Sequence, residues 1–243
     1  MRYSLIACLL FSTVTLVNGT TATAATLYDA SADFSIVANP NTPWTYGYYD
    51  ATATIFTPYA SSSANWHGKP NLDAWSQFLY DSSSYSVVGK NVSGGVEVEG
   101  SISIDPGMLF THPGLNGEKG TVRWTATEAG TIDVTAIFIA ADTVGGNRDV
   151  HVYLNGSEIY GDVLNGTKPV TLSAGPSLSD ISVLVGDTVD WSVGFGSGGY
   201  ANDATMLTAE ISFAAIPAPE PSSLLLLGLG ACGLAVRRGR QRN

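Results

Sequence analysis

The chain has 243 residues, 44% hydrophobic and 13% charged, with 21 acids against 11 bases, and that length suits one large all-β domain or two small ones. From residue 25 to 216 the balance is 20 acids to 6 bases; a surface that acidic repels phosphate backbones, so nucleic acid is excluded as a partner. Both cysteines, Cys8 and Cys232, lie outside this stretch, so the domain holds no disulfide and no cysteine nucleophile, and its ~190 residues must stand on buried apolar surface.

Residues 1–24 open with Arg2, continue through an apolar run from Leu5 to Val17 and end on Ala22-Thr23-Ala24. This is the pattern of a secretory signal peptide cleaved before Ala25. Leu5-Ile6-Ala7-Cys8 has lipobox-like residues, but Cys8 precedes most of the apolar run, which argues against lipidation. The next third, Leu27 to Tyr80, holds three of the five tryptophans among many Ser, Asn and Pro, and reads as strands broken by long loops. Within it, Trp44, Tyr46, Tyr48, Trp66 and Trp75 form an aromatic cluster with two open roles. They stack on the apolar faces of sugars as a ligand-binding surface, or they pack the core.

From Val87 onward, short β-branched or alternating segments recur about every ten residues between Gly, Asn, Asp and Pro, the spacing of a sandwich or barrel. In Val96 to Ile104 the even positions Val96, Val98, Ile102 and Ile104 are apolar while Glu97 and Glu99 are charged, which predicts one strand with one core face. Further strands are predicted over Thr121 to Ala126, Thr131 to Ala140, Asp149 to Leu154, Ser157 to Val163, Pro169 to Leu172, Asp180 to Val185, Thr188 to Phe195 and Met206 to Phe213. Asn155-Gly156 predicts a type I′ hairpin turn, whose two central residues need positive φ. The expected fold is all-β: one antiparallel β-sandwich, a jelly roll, over residues 25–215, preceded by the signal peptide and followed by a short hydrophobic helix.

Chemistry is sparse. No serine sits in a Gly-x-Ser-x-Gly elbow, and Gly194-Phe195-Gly196-Ser197-Gly198-Gly199 follows an antiparallel strand with no helix after it, so it reads as a loop and not a dinucleotide site. His67, His112 and His151 have no metal-ligand spacing. His151 shares a strand face with Asp149 and Tyr153, and Glu97 and Glu99 share another; both read as solvated faces. Asp142, Asn147, Asp149 and Asp203, with Asn202, offer hard oxygens suited to calcium, though each also suits a turn. No other cofactor is expected.

After Ile216 comes Pro217-Ala218-Pro219-Glu220-Pro221, then an uncharged block from Ser222 to Val236, then Arg237, Arg238, Arg240 and Arg242. The prolines keep the segment extended, the 15-residue block enters a bilayer with local thinning, and the arginines stay cytoplasmic. This tail resembles the PEP-CTERM sorting signal. The resemblance implies an exosortase, a membrane enzyme with a catalytic cysteine, as partner, with Pro219, Glu220 and Pro221 as its recognition motif. It also implies transient anchoring in the inner membrane through the hydrophobic segment before the protein reaches the cell envelope.

In the domain, Trp44-Thr45-Tyr46-Gly47, His112-Pro113-Gly114, Val122-Arg123-Trp124-Thr125-Ala126, His151-Val152-Tyr153-Leu154-Asn155-Gly156 and Gly186-Asp187-Thr188-Val189-Asp190-Trp191 resemble stretches of PEP-CTERM proteins from planctomycete-like bacteria. Domains of that kind resemble carbohydrate-binding jelly rolls. The resulting expectation is a non-enzymatic, exported envelope or matrix protein that contacts extracellular polysaccharide. A purely structural or adhesive protein, and a polysaccharide-degrading enzyme, are the alternatives.

Overall fold

In Gly130–Ala140, Ile132, Val134, Ala136 and Phe138 are buried while Thr131, Asp133 and Thr135 between them are not. This period of two drives a strand onto a core and leaves its other face wetter. The computed structural model describes residues 25–77, 86–166, 170–172 and 178–216. The expected signal peptide (1–24) and the hydrophobic tail (217–243) lie outside the described residues.

The strands in chain order are β1 (Thr26–Asp29), β2 (Trp44–Tyr49), β3 (Phe56–Pro58), β4 (Ser61–Ser63), β5 (Leu72–Ser76), β6 (Val87–Asn91), β7 (Glu97–Glu99), β8 (Ile102–Ile104) and β9 (Leu109–His112). They continue as β10 (Lys119–Thr125), β11 (Gly130–Ala140), β12 (Asn147–Leu154), β13 (Ser157–Asn165), β14 (Val170–Leu172), β15 (Ile181–Val183), β16 (Thr188–Phe195) and β17 (Thr205–Ala215). One sheet has nine strands, β14-β11-β17-β9-β6-β5-β4 with β1 on β17 and β15 on β11. The other has six, β13-β12-β16-β10-β2-β3, and β7-β8 is a separate hairpin.

The pairings around the central strands are antiparallel. Strands β9 and β11 flank β17 in the first sheet, and β10 and β12 flank β16 in the second. The connections β9 to β10, β11 to β12 and β16 to β17 therefore each cross between sheets, which is the wrapping of a jelly roll.

The main core lies between the sheets. Trp44, Tyr46, Val122, Trp124, Val150, Val152, Val189, Trp191 and Val193 from the six-stranded sheet meet Ile132, Val134, Phe138, Leu207, Ile211 and Phe213. Each such large side chain contributes ~1.5–3 kcal/mol on burial. A smaller core of Trp66, Leu72, Val87, Ile104, Phe110 and Met206 lies apart from it.

The strands of the second half fall where alternation places them, and Thr188–Phe195 coincides with its expected span. Asn155 and Gly156 have φ of 51° and 76°, and Leu154 faces Ser157 across them, the type I′ geometry. The stretch 96–104 differs. It is a hairpin, with Glu99 opposite Ile102 and Gly100 at φ 59° in the turn, a conformation that favours glycine. The reversal breaks the alternation: Val96 and Val98 are exposed and only Ile104 is fully buried. Among the described residues, no helix is long and apolar enough to cross a membrane.

Candidate functional site

Between β4 and β5 the chain makes one 3-10 turn, Trp66–Gly68, and its middle residue, His67, is left-handed at φ 52°, ψ 31°. A residue with a β-carbon adopts that region at a cost of ~1–2 kcal/mol, so surrounding contacts must impose it. Trp66 is sunk in the smaller core, its ring 4.9 Å from that of Phe110. The turn lays the His67 imidazole 4.2 Å from the indole and puts its Nδ1 3.4 Å from Glu99 Oε1. Lys69 Nζ lies 3.4 Å from the other oxygen of Glu99, and Asn71 Nδ2 donates to Glu97 at 2.6 Å. Glu97 and Glu99, expected on a solvated face, lean onto this turn instead.

The hairpin is clipped to the end of β11. Ser103 N–H donates to the Ala141 carbonyl and Thr143 N–H to the Ser101 carbonyl, while the Ser101 hydroxyl donates to Asp142 Oδ1 at 2.6 Å. Asp142 Oδ2 accepts the Ala204 N–H at 2.9 Å, which ties in the loop before β17. In that loop Asn202 is also left-handed, at φ 64°.

These segments enclose a cleft of about 360 Å³, lined by His67, residues 99–102, His112, Asp142 and residues 200–202. That is at the small end of the ~300–1,000 Å³ of small-molecule sites. Its polar groups are hydroxyls, an amide, imidazoles and carboxylates. Tyr200 stands at 78° to the His112 ring, 6.2 Å away, and presents an aromatic surface. His112 Nδ1 lies 2.7 Å from the Pro113 carbonyl, which fixes that ring. Such a mixture matches a ligand rich in hydroxyl groups with an apolar face.

Beneath the cleft, Arg148 has no exposed surface. Its guanidinium donates to the carbonyls of Asn202 at 2.7 Å, Gly166 at 2.9 Å and Ala204 at 3.1 Å. The four expected calcium ligands do not converge. Asp142 and Asp203 flank this guanidinium, whereas Asp149 is on the outer face of the six-stranded sheet, 2.8 Å from Lys119 Nζ. Alternation along β12 separates Asp149 from Arg148 and explains the split. Among the described residues, no three His, Cys, Asp or Glu side chains gather as metal ligands do.

The aromatic cluster also differs from a binding surface. Trp44, Tyr46, Trp66 and Trp75 are 0%, 0%, 4% and 6% exposed, so their faces are in the core. Trp44 Nε1 donates to Asp33 and Trp75 Nε1 to the Ser35 carbonyl. Tyr48 is half-buried and stacked on Tyr59 at 5.6 Å. Sugar stacking by the four buried rings would require the sandwich to open.

On the outer face of the six-stranded sheet His151, Asp149 and Tyr153 do share a side, but an ion network covers it. His151 Nδ1 meets Glu158 at 2.9 Å and Nε2 meets Asp149 at 2.8 Å and Lys119 Nζ at 2.7 Å. Burial alone would raise the Asp149 pKa, but the bonds from His151 and Lys119 hold it at about 2. Further along, Asp190 is fully buried between Arg123 and Tyr49. Burial and then Asp190 push the Tyr49 hydroxyl well above its ordinary range, and burial with nearby carboxylates pushes Tyr153 up to about 12.

Residues 217–241 match the PEP-CTERM protein-sorting motif, so Pro219, Glu220 and Pro221 lie in a sorting signal. Among curated proteins none matches the chain. Several of the solved structures with partial overlap are carbohydrate-binding modules, and one is the Agl-KA catalytic domain, 20% identical, which covers 47% of this chain and 23% of that one with a TM-score of 0.25. CBM51 from Clostridium perfringens GH95 in complex with methyl-galactose is 12% identical and covers 70% of this chain and 99% of that one, with a TM-score of 0.33. A family 35 carbohydrate binding module from Clostridium thermocellum is 14% identical and covers 48% and 85%, with a TM-score of 0.29. CBM35 from Paenibacillus barcinonensis is 14% identical and covers 79% and 99%, with a TM-score of 0.26.

Proposed function

We propose that this is an exported, non-enzymatic envelope or matrix protein, processed by an exosortase through its tail, whose cleft takes a sugar unit of an extracellular polysaccharide. The observation that carries the reading is the cleft itself: about 360 Å³ of mixed polar and aromatic wall built on two non-glycine residues in the left-handed region, His67 and Asn202.

The cleft's place in the fold supports the same reading. Asn202 precedes β17, whose 11 residues carry the chain roughly 36 Å at ~3.3 Å each before it leaves at Ile216. Thr26 of β1 pairs with Phe213, so the domain is entered and left at one end while the cleft is at the other.

The test is retardation of the purified protein in native gels containing the host's own exopolysaccharide, with Tyr200→Ala and Asn202→Gly as variants, glycine being free to keep the left-handed backbone. Both variants should keep the wild-type melting temperature and lose the retardation. Unchanged retardation in both would remove the cleft from the account. A purely structural protein is the second reading, favoured by the burial of the aromatic cluster; it expects no retardation in any gel.

A further inference from the structure

The cleft has a one-sided charge. The formally charged side chains that line it are both carboxylates, Glu99 and Asp142, and no lysine or arginine is among the lining residues. Two cations are close, and neither is offered to a ligand. Arg148 lies beneath the cleft with no exposed surface, 4.0 Å from Asp142 Oδ2, its guanidinium already donating to three carbonyls. Lys69 is 3.4 Å from Glu99 Oε2 and stands outside the lining.

The neutral groups tilt the same way. The Ser101 hydroxyl gives its single hydrogen to Asp142 Oδ1 at 2.6 Å. The side-chain Oδ1 of Asn202 is 3.4 Å from that same hydroxyl, so its lone pairs are left for a ligand N–H or O–H. Beside it Tyr200 presents a half-buried ring, and such a face attracts a cation. The surrounding domain adds to the field, with 20 acids to 6 bases from residue 25 to 216. A carboxylate or sulfate on a sugar would give up its water here for walls that hold no cation for it, which is costly. A protonated amine meets a carboxylate, an amide oxygen and a ring face.

We propose that the cleft selects an amino sugar, a hexosamine unit with a free protonated amine, and rejects units that carry carboxylate or sulfate. Glu99 supplies the charge and Tyr200 the face. Asp142, balanced by Arg148, accepts the Ala204 N–H and keeps the loop before β17 in place. This names the substrate class of the site proposed above and rests on that reading.

The experiment is isothermal titration calorimetry of the purified protein at pH 6 and physiological salt. The probes are a glucosamine tetramer with free amines, its N-acetylated form, a galacturonate tetramer and tetralysine. The free-amine tetramer should bind saturably and about tenfold more tightly than its N-acetylated form, and galacturonate should show no saturable binding. In Glu99→Gln the difference between the two glucosamine tetramers should disappear.

Equal affinity for the two glucosamine tetramers would overturn the proposal and leave the sugar reading standing. So would galacturonate that binds as tightly as either. Tetralysine matching the free-amine tetramer would overturn it as well, by showing attraction to charge alone. A Glu99→Gln protein that folds and keeps the full preference has the same consequence; if that variant does not fold, the wild-type series decides. Should no tetramer bind, the proposal falls, and retardation by the host exopolysaccharide decides the sugar reading separately.

Discussion

A carboxylate with no exposed surface must have its charge answered nearby, and Asp190 on β16 has it answered twice. Arg123 donates to both its oxygens, at 2.6 and 2.9 Å, and the Tyr49 hydroxyl donates at 2.7 Å. The guanidinium itself lies over the Phe56 ring at 3.7 Å. Replacing Arg123 by Met leaves a buried charge unpaired and should cost ~3–5 kcal/mol in urea unfolding at pH 7; a loss under ~1 kcal/mol would mean that water reaches Asp190.

Asp149, on the outer face of the six-stranded sheet, is answered by Lys119 and His151. Its pKa is lowered to about 2, so it stabilises the fold above about 4, and that contribution disappears as pH falls through about 2. After solvent screening, Asp149→Asn should cost ~1–2 kcal/mol at pH 7 and nothing at pH 2, read as the gap between variant and wild-type denaturation curves. A gap that persists at pH 2 would assign the effect to packing.

At the scale of elements, the β7–β8 hairpin separates what alternation says from what a turn does. Read as one strand, residues 96–104 place four apolar side chains on the core. Gly100 at positive φ folds the segment back, and Val96 and Val98 face solvent while Ile104 reaches the smaller core. Ile104→Ala should therefore cost ~2–5 kcal/mol, whereas Val98→Thr should change stability by less than ~0.5 kcal/mol. Equal losses in thermal unfolding would restore the continuous strand.

The second half was legible because its strands keep a period of two, interrupted in the β12–β13 pairing by a register shift between Val152 and Tyr153, and Asn155-Gly156 marks its own turn. The role of the aromatic cluster was not: Trp44, Tyr46 and Tyr48 share one face of β2, but Thr45, Gly47 and Tyr49 on the other face are buried too, so alternation alone does not separate a core face from a ligand surface. The cleft was not legible, because five segments far apart in the chain supply its walls and no local spacing encodes their meeting. The nearest signal was Tyr200, a lone aromatic after two glycines.

For the whole molecule, two features bear on function: a sorting motif over 217–241 and a cleft at the end of the sandwich remote from Ile216. If the Pro-Glu-Pro run is what the processing enzyme reads, Glu220→Ala should leave the tail attached in the native host. Intact-mass measurement of the surface fraction would show this; normal processing of the variant would move recognition elsewhere in the tail.

The chain has three histidines, and the fold distributes them usefully. His67 and His112 line the cleft, while His151 is in the ion network on the outer face of the six-stranded sheet. The most direct test of the cleft is a histidine-selective NMR titration of the purified protein with oligosaccharides from the host exopolysaccharide. The account predicts that the His67 and His112 ring signals shift together, saturably, while His151 stays in place. A shift of His151 alone, or no shift in any of the three at millimolar sugar, would contradict it.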